Sequence, residues 1–215
     1  IGMSLDVNAV VLSLFDAGVE NVIVKDFHRT GYNIFSSCID KRAKLVSGYR
    51  LGPVPGIGTV HDTTGLMMLG MHAPSGSEGF LAHTLTSKIS KLTVNDKLLS
   101  EAQLFSASLA RFNVAPLFFS GCPVACEYAD RDINNMNCFS IEKEGGRIIQ
   151  SASSWRKELA RQAAYALENT KSKPYYPTGP FHAVVTMREG KNNAKKIAGR
   201  WRFKYEKDKI FITAS

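Results

Sequence analysis

The run LMMLGM at residues 66–71, followed directly by His72, is the stretch that decides the fold. Six consecutive apolar or small residues predict a strand buried on both faces, because a strand with one solvated face would alternate apolar and polar residues. A second run of this kind, APLFFS, occupies residues 115–120. Between the two, Ser100 is placed to cap a helix. A strand, a helix and another strand in succession indicate a parallel sheet.

The same alternation extends along the rest of the chain. It predicts a three-layer α/β/α domain over residues 1–172, with a mostly parallel or mixed sheet, and a small C-terminal β appendage over residues 173–215 that packs on it. The predicted helices are one capped by Ser4 and ended by Gly18, one running from Ser100 to about Phe112, a short helix or loop at 121–130, and one at 154–169. The predicted strands are 21–25, 66–71, 115–120, 137–141, 181–188 and 200–213, together with a hairpin at 89–99.

Composition narrows the class of protein. With 215 residues and 44% hydrophobic content, the chain can bury a sizeable core. Its longest apolar runs fall far short of the roughly 20 residues that a membrane helix needs, and no signal-like segment opens it, so we expect a soluble, cytoplasmic protein and no membrane partner. The four cysteines show one CxxxC spacing and no paired CxxC motifs, which predicts reduced thiols rather than a zinc finger or a disulfide framework.

The net charge of +8 raises the alternative of a nucleic-acid binder. Much of the surplus lies between residues 187 and 209, which hold nine Lys and Arg against three Asp and Glu. Aromatic and basic residues alternate from Trp201 to Tyr205, a pattern typical of a strand with one packed and one solvated face. Charge on the solvated face of an edge strand also discourages edge pairing, so we do not expect nucleic acid to be the partner.

Candidate metal ligands follow the predicted strands. His28 and His72 both lie where a strand ends, and ligands gather beyond the carboxyl ends of strands in an open α/β sheet. Asp26 shares a strand face with His28 and could orient the imidazole or share in binding, and Glu101 adds a carboxylate from a helix. Two imidazoles and a carboxylate suit zinc. Each also has a plainer interpretation, as a surface hydrogen-bonding group or a complement to the helix dipole, and no compact signature such as HExxH is present.

A series of short motifs favours the metal site. They follow in order over roughly residues 1–170: VKDFH at 24–28, LVSG at 45–48, LGMHA at 69–73, AHT at 82–84, and the segment from Val94-Asn95-Asp96 to Glu101. In these motifs the chain resembles the zinc-dependent D-aminopeptidases, peptidase family M55, typified by the dipeptide-transport-operon protein of bacilli. The resemblance implies a two-zinc exopeptidase acting on short peptides, with His28, His72 and Glu101 as metal ligands, His83 as the catalytic histidine, and a ring-like homo-oligomer.

Two features depart from the family pattern. Its members open with a strand bearing Asp-x-Glu-Gly, whose carboxylates complete and bridge the metal pair, whereas this chain begins at what resembles the next helix and contains no Asp-x-Glu triplet. The family often has an acidic pair where this chain has Gly121-Cys122-Pro123. Cys122 is either a reactive thiol near the site or a small buried core residue. A further alternative is therefore a family-derived scaffold or binding protein that has lost catalysis.

A free amino terminus on the substrate would need a carboxylate, for which Glu78 and Asp26 are candidates. The apolar residues Phe27, Phe80 and Leu81 could line a side-chain pocket, although buried packing is an equally ordinary role for them.

Overall fold

The computed structural model describes residues 1–28, 31–47, 63–144, 147–148 and 151–215. Gly48, the last residue of the LVSG motif, lies outside these ranges. The helices are α1 (Gly2–Asp16), α2 (Glu101–Ala110), α3 (Pro123–Asp132), α4 (Ala152–Glu168) and α5 (Lys191–Trp201), with a 3-10 turn at Ser36–Cys38. The strands are β1 (Ile23–Asp26), β2 (Lys44–Ser47), β3 (Gly65–Met71), β4 (Ile89–Val94), β5 (Lys97–Leu98), β6 (Ala115–Gly121), β7 (Asn137–Ser140), β8 (Lys143–Glu144), β9 (Arg147–Ile148), β10 (Phe181–Met187), β11 (Lys204–Glu206) and β12 (Lys209–Ala214).

The parallel sheet β3-β6-β7 is the centre of the molecule. Its middle strand β6 is buried at every position, as the apolar run at 115–120 predicts. Neighbouring residues of a strand point to opposite faces, and here Phe119 packs with α2 and α3 while Phe118 packs with α1 and α4. Helices therefore cover both faces, and the predicted α/β fold with a three-layer arrangement is confirmed.

A second parallel pair, β1-β2, lies against α1. Val24 of β1 is placed opposite Leu45 of β2, and both pack with Val7 and Val11 of α1. Leu69 of β3 joins the same cluster, so this pair and the central sheet share a core. The carboxyl end of β1, where Asp26 lies, is thereby held in a fixed relation to the central sheet.

The C-terminal strands share a sheet with strands from the middle of the chain. They build an antiparallel sheet in the order β11-β12-β10-β4-β5, in which β10 pairs with β4 from the middle of the chain. One face is covered by α5, whose Ala194 and Ala198 are fully buried against Met187 and Ile210. The predicted strand at 200–213 is wrong at its start, because residues 191–201 form α5 and the hairpin begins only at Lys204.

The two serines predicted to cap helices have different roles in the structure. Ser100 forms the predicted cap of α2 as part of a capping box, in which its hydroxyl accepts the N–H of Gln103 and the Gln103 side chain accepts the N–H of Ser100. Ser4 does not cap α1, which begins at Gly2. Its buried hydroxyl instead accepts the N–H of Phe35, tying α1 to the loop after β1. In the part of the chain that the structure describes, every helix is too short or too polar to cross a bilayer.

Candidate active site

The first site element is the turn that follows β1. Asp26, whose side chain is only 1% exposed, accepts hydrogen bonds from the N–H of His28 and of Asn33. Its Oδ1 also lies 2.8 Å from Nδ1 of His28. Burial pushes the pKa of Asp26 upward, but the hydrogen bonds outweigh it, and the net effect lowers the pKa below its ordinary value. Asp26 is thus an ionised group that orients the exposed His28 ring, with Nε2 turned away from the carboxylate.

The second element is a pair of histidines in contact. The rings of His72, directly after β3, and His83 have centroids 4.7 Å apart. Nδ1 of His72 lies 3.0 Å from the carbonyl oxygen of Phe80, and Nδ1 of His83 lies 2.8 Å from that of Leu81. A carbonyl oxygen only accepts hydrogen bonds, so both Nδ1 atoms carry the proton. In this tautomer a neutral imidazole has its lone pair on Nε2, the form in which histidine binds a metal or accepts a proton.

The third element is Glu101 in the first turn of α2. Its Oε1 accepts the backbone N–H of Leu85 at 2.9 Å, which joins α2 to the segment that carries His83. One turn further along α2, Phe105 stacks on Phe27, with ring centroids 4.4 Å apart. Short contacts therefore link the loop after β1, the segment around His83 and the start of α2.

A small cavity lies beyond the ends of β3 and β6. Its walls come from both strand ends and from the loop that orients the histidines. The lining residues are Gly70, Met71, His72, Phe80, Gly121, Cys122 and Ile141.

Two glycines allow the close approach of these walls. A Cβ at Gly79 would lie 2.3 Å from Cβ of Ala73, the residue after His72. A Cβ at Gly121 would lie 2.6 Å from the carbonyl oxygen of Met71. Both contacts are far inside van der Waals distance, so a side chain at either position would separate the two backbone segments and displace His72.

The donors suit zinc in kind, since the oriented imidazoles and the carboxylate are ordinary zinc ligands. Their positions, however, do not form a complete set of ligands for one ion. Across the described ranges 1–28, 31–47, 63–144, 147–148 and 151–215, no three His, Cys, Asp or Glu side chains lie close enough to hold one metal ion. The structure brings His72 and His83 into contact, and it connects His28 and Glu101 to them through neighbouring residues rather than directly.

The residues considered for substrate binding differ in their solvent exposure. Asp26 is enclosed and already accepts three hydrogen bonds, which argues against it as the group that holds a substrate amine, whereas Glu78 is exposed. Phe27 packs in the core and Leu81 is 67% exposed. Cys122 is both a core residue, 8% exposed, and part of the cavity wall.

Sequence reasoning missed the groups that orient the two histidines. These are the backbone carbonyls of Phe80 and Leu81, in a loop where Leu81 has a φ of 48°. Backbone carbonyls leave no residue-type signal. The nearest signal is Gly79, because a glycine beside a histidine-bearing loop often marks a close approach of backbone.

Comparisons with a family model, with a curated relative and with a solved structure agree with one another. A family model described as D-aminopeptidase, Peptidase_M55, matches residues 2–199. The D-aminopeptidase of Bacillus subtilis (strain 168) is 26% identical over 190 residues, which cover 86% of this chain and 68% of that protein. The solved structure of the Zn-dependent D-aminopeptidase DppA from Bacillus subtilis, a self-compartmentalizing protease, is similar with a TM-score of 0.84 at 20% identity, over 99% of this chain and 80% of that one.

Proposed function

The chain belongs to the D-aminopeptidase family Peptidase_M55, and we propose that it is a zinc-dependent aminopeptidase that hydrolyses short peptides with a free amino terminus, D-residues among them. The observation that carries this proposal is the pair His72 and His83, in contact and each with its Nδ1 proton held by a backbone carbonyl. Such orientation is characteristic of metal-ligating and catalytic imidazoles.

We assign His28, His72 and Glu101 as zinc ligands and His83 as the catalytic histidine. Asp26 orients His28, and the carbonyl of Phe80 orients His72. Each imidazole therefore presents the lone pair of Nε2 to the metal. Glu101 uses Oε1 for the Leu85 N–H and has Oε2 as its second oxygen. Bound zinc would supply a water of lowered pKa and polarise the scissile carbonyl. Two ions per subunit would require a further pair of carboxylates at the site.

His83 transfers protons or stabilises the negative charge that develops beside the metal. The hydrogen bond to the Leu81 carbonyl fixes its ring, and contact with His72 places it within reach of groups bound there. A neutral imidazole with an Nε2 lone pair accepts a proton from the attacking water, and the imidazolium that results stabilises an oxyanion or protonates the leaving amine. Glu78, exposed near the cavity, is the proposed partner for the substrate ammonium group.

The test combines zinc content with hydrolysis of amino-acid amides. We expect His72→Ala to lose bound zinc and activity, and His83→Ala to keep zinc but lose turnover by a factor of about 10²–10⁴. His182→Ala, an exposed histidine on β10, is the matched control and should keep both. Unchanged zinc content and activity in both site variants would refute the assignment. A folded protein that binds no zinc and has no activity would favour the scaffold alternative.

We also propose that the protein acts in the cytoplasm as a homo-oligomer. The exposed aromatic residues Trp201 (57%), Tyr205 (38%) and Phe211 (38%) support a contact surface on the antiparallel sheet and α5. The segment 174–177 is a second candidate surface, since Tyr176 is 65% exposed while its O–H donates to the Ala110 carbonyl at 2.6 Å within the chain. Light scattering with Trp201→Lys tests this assignment, since a fall in mass is expected and an unchanged mass contradicts it.

A further inference from the structure

The strand that leads into His72 has one extra residue just before its end. Two successive pairs of β3 and β6 enclose two residues of β3 but only one of β6; these pairs are Met68–Phe119 and Met71–Gly121. Leu69 and Gly70 therefore stand together opposite Ser120. Two residues against one is a β-bulge, which bends the strand and re-aims the side chains that follow it.

The bulge reverses the side of the sheet that the end of β3 faces. Met68 packs with α2 and α3, and Leu69 packs with α1 and α4, as alternation requires. Gly70 breaks the alternation, since a Cβ there would lie 2.9 Å from the end of a methionine side chain of α1. Met71 then packs on the side of α2 and α3, whereas a regular strand would place it on the side of α1. Because His72 follows directly, the bulge sets how the backbone approaches it.

One buried side chain holds the bulge. The hydroxyl of Ser120, which is 1% exposed, accepts the N–H of Gly70 at 3.1 Å. An extra residue in a bulge is left out of the ladder, so a buried N–H there needs another acceptor. Gly70 has a φ of 67°, a left-handed conformation that glycine adopts without strain. The pair of Ser120 and Gly70 thus supplies both the acceptor and the backbone conformation that the bulge requires.

We infer that Ser120 is a positioning residue for His72, because its hydroxyl holds the bulge at Gly70 and the bulge fixes the strand end that carries the imidazole. Nδ1 of that imidazole donates to the Phe80 carbonyl at 3.0 Å, a contact that a shifted strand end would lengthen. Gly70, Met71 and His72 also line the cavity, so the effect reaches the cavity wall. Ser120 acts through the backbone of β3. Its importance for zinc rests on the proposed function, in which His72 is a ligand.

The first readout is the tautomer of His72 in the metal-free protein. Above the ordinary histidine pKa of about 6.5 the ring is neutral, and ¹⁵N NMR distinguishes a proton on Nδ1 from one on Nε2. The His72 signals are assigned by their absence in His72→Ala. We expect the Nδ1–H form in the wild type and a mixture of both forms in Ser120→Ala. Ser90→Ala is the matched control and should keep the Nδ1–H form, since the Ser90 hydroxyl also bonds a neighbouring strand, at the Thr186 carbonyl.

The second readout is zinc affinity, measured by competition with a chelator. A group that orients a metal ligand typically contributes a factor of about 10–100 to metal affinity, so Ser120→Ala should raise the Kd for zinc by about that factor. Ser90→Ala should leave the Kd unchanged. Gly70→Ala, a second variant, keeps the serine hydroxyl but places a side chain at a positive φ, and we expect it to change both readouts in the same direction. All measurements are made well below the Tm of each protein, where a loss of stability alone changes neither readout.

A folded Ser120→Ala protein with the wild-type tautomer and zinc affinity would overturn the inference. If Ser120→Ala does not fold, the same result in Gly70→Ala would overturn it. A changed tautomer in Ser120→Ala, together with a wild-type protein that binds no zinc, would support the positioning role and count against the proposed function. A wild type that binds zinc and hydrolyses amides, with variants that match it in both readouts, would do the reverse.

Discussion

Replacing Gly79 with alanine tests whether the close approach of two loops sets the position of His72. The added Cβ would lie 2.3 Å from Cβ of Ala73, and both atoms are fixed directly to the backbone. An ordinary carbon–carbon contact is about 3.5–4.0 Å, so the backbones must separate by roughly 1.2–1.7 Å. Ala73 is fully buried, and its carbonyl accepts the N–H of His83, so the shift reaches both histidines.

The expected cost of Gly79→Ala has two parts. Overpacking a buried contact destabilises a fold by about 1–3 kcal/mol, which for a chain of this size lowers the Tm by about 2–12 °C. A displacement of about 1 Å between catalytic groups costs on the order of 10²-fold in rate. Differential scanning calorimetry gives the first quantity, and initial rates of amide hydrolysis well below the new Tm give the second.

Gly199→Ala is the matched control for this substitution. Gly199 lies in α5, and a Cβ there meets nothing within 4 Å. We expect normal activity and a stability that is unchanged or higher by about 0.5–1 kcal/mol, because alanine favours the helix over glycine. A Gly79→Ala protein with the Tm and rate of the wild type would show that the loops tolerate separation and that their contact does not position His72.

Three other substitutions probe the supports of the site and the core. Asp26→Asn should reduce zinc affinity and remove a pH dependence of stability. Because folding lowers the pKa of Asp26, the stability that it contributes is present above its ordinary pKa near 3.8 and is lost as pH falls through the folded-state value. The difference between the two proteins in urea unfolding should therefore shrink as pH falls below about 3.8. Parallel curves at all pH values would contradict this. Ser100→Ala removes the cap at the start of α2 and should destabilise by about 1 kcal/mol in urea unfolding, with Ser154→Ala on the exposed side of α4 as a near-neutral control. Leu159→Ala leaves a cavity under α4, where Leu159 is 1% exposed, and should cost about 2–5 kcal/mol while the rate at low temperature is preserved; a cost below 1 kcal/mol would mean that α4 is not a principal support of the sheet.

The central layers could be predicted because their signal is carried by residue type. Strands β3 and β6 stand out as unbroken apolar runs, and His72 was located correctly at a strand end. Helix α5 was missed because its buried face consists of only the small residues Ala194 and Ala198, while Lys and Arg dominate the rest. A segment this polar overall has few large apolar residues to mark a helix, and the adjacent aromatic alternation favoured a strand.

The sequence proposes residues for the site but does not indicate the groups that support them. The identities of His28, His72, His83 and Glu101 came from motif order. The carbonyl contacts that set each tautomer depend on how the loops pack against the strand ends. Such contacts join residues through backbone geometry, for which a single sequence has no periodic signal.

The pairing of β10 with β4 has a consequence for how the protein is made. Val94 has Ala183 as its partner, so the sheet cannot close until almost 90 further residues have left the ribosome. At typical translation speeds of about 5–20 residues per second, the hairpin around Ile89 and Leu92 waits roughly 5–20 s with its apolar side uncovered. During that interval we expect chaperones that bind exposed apolar strands to bind the nascent chain.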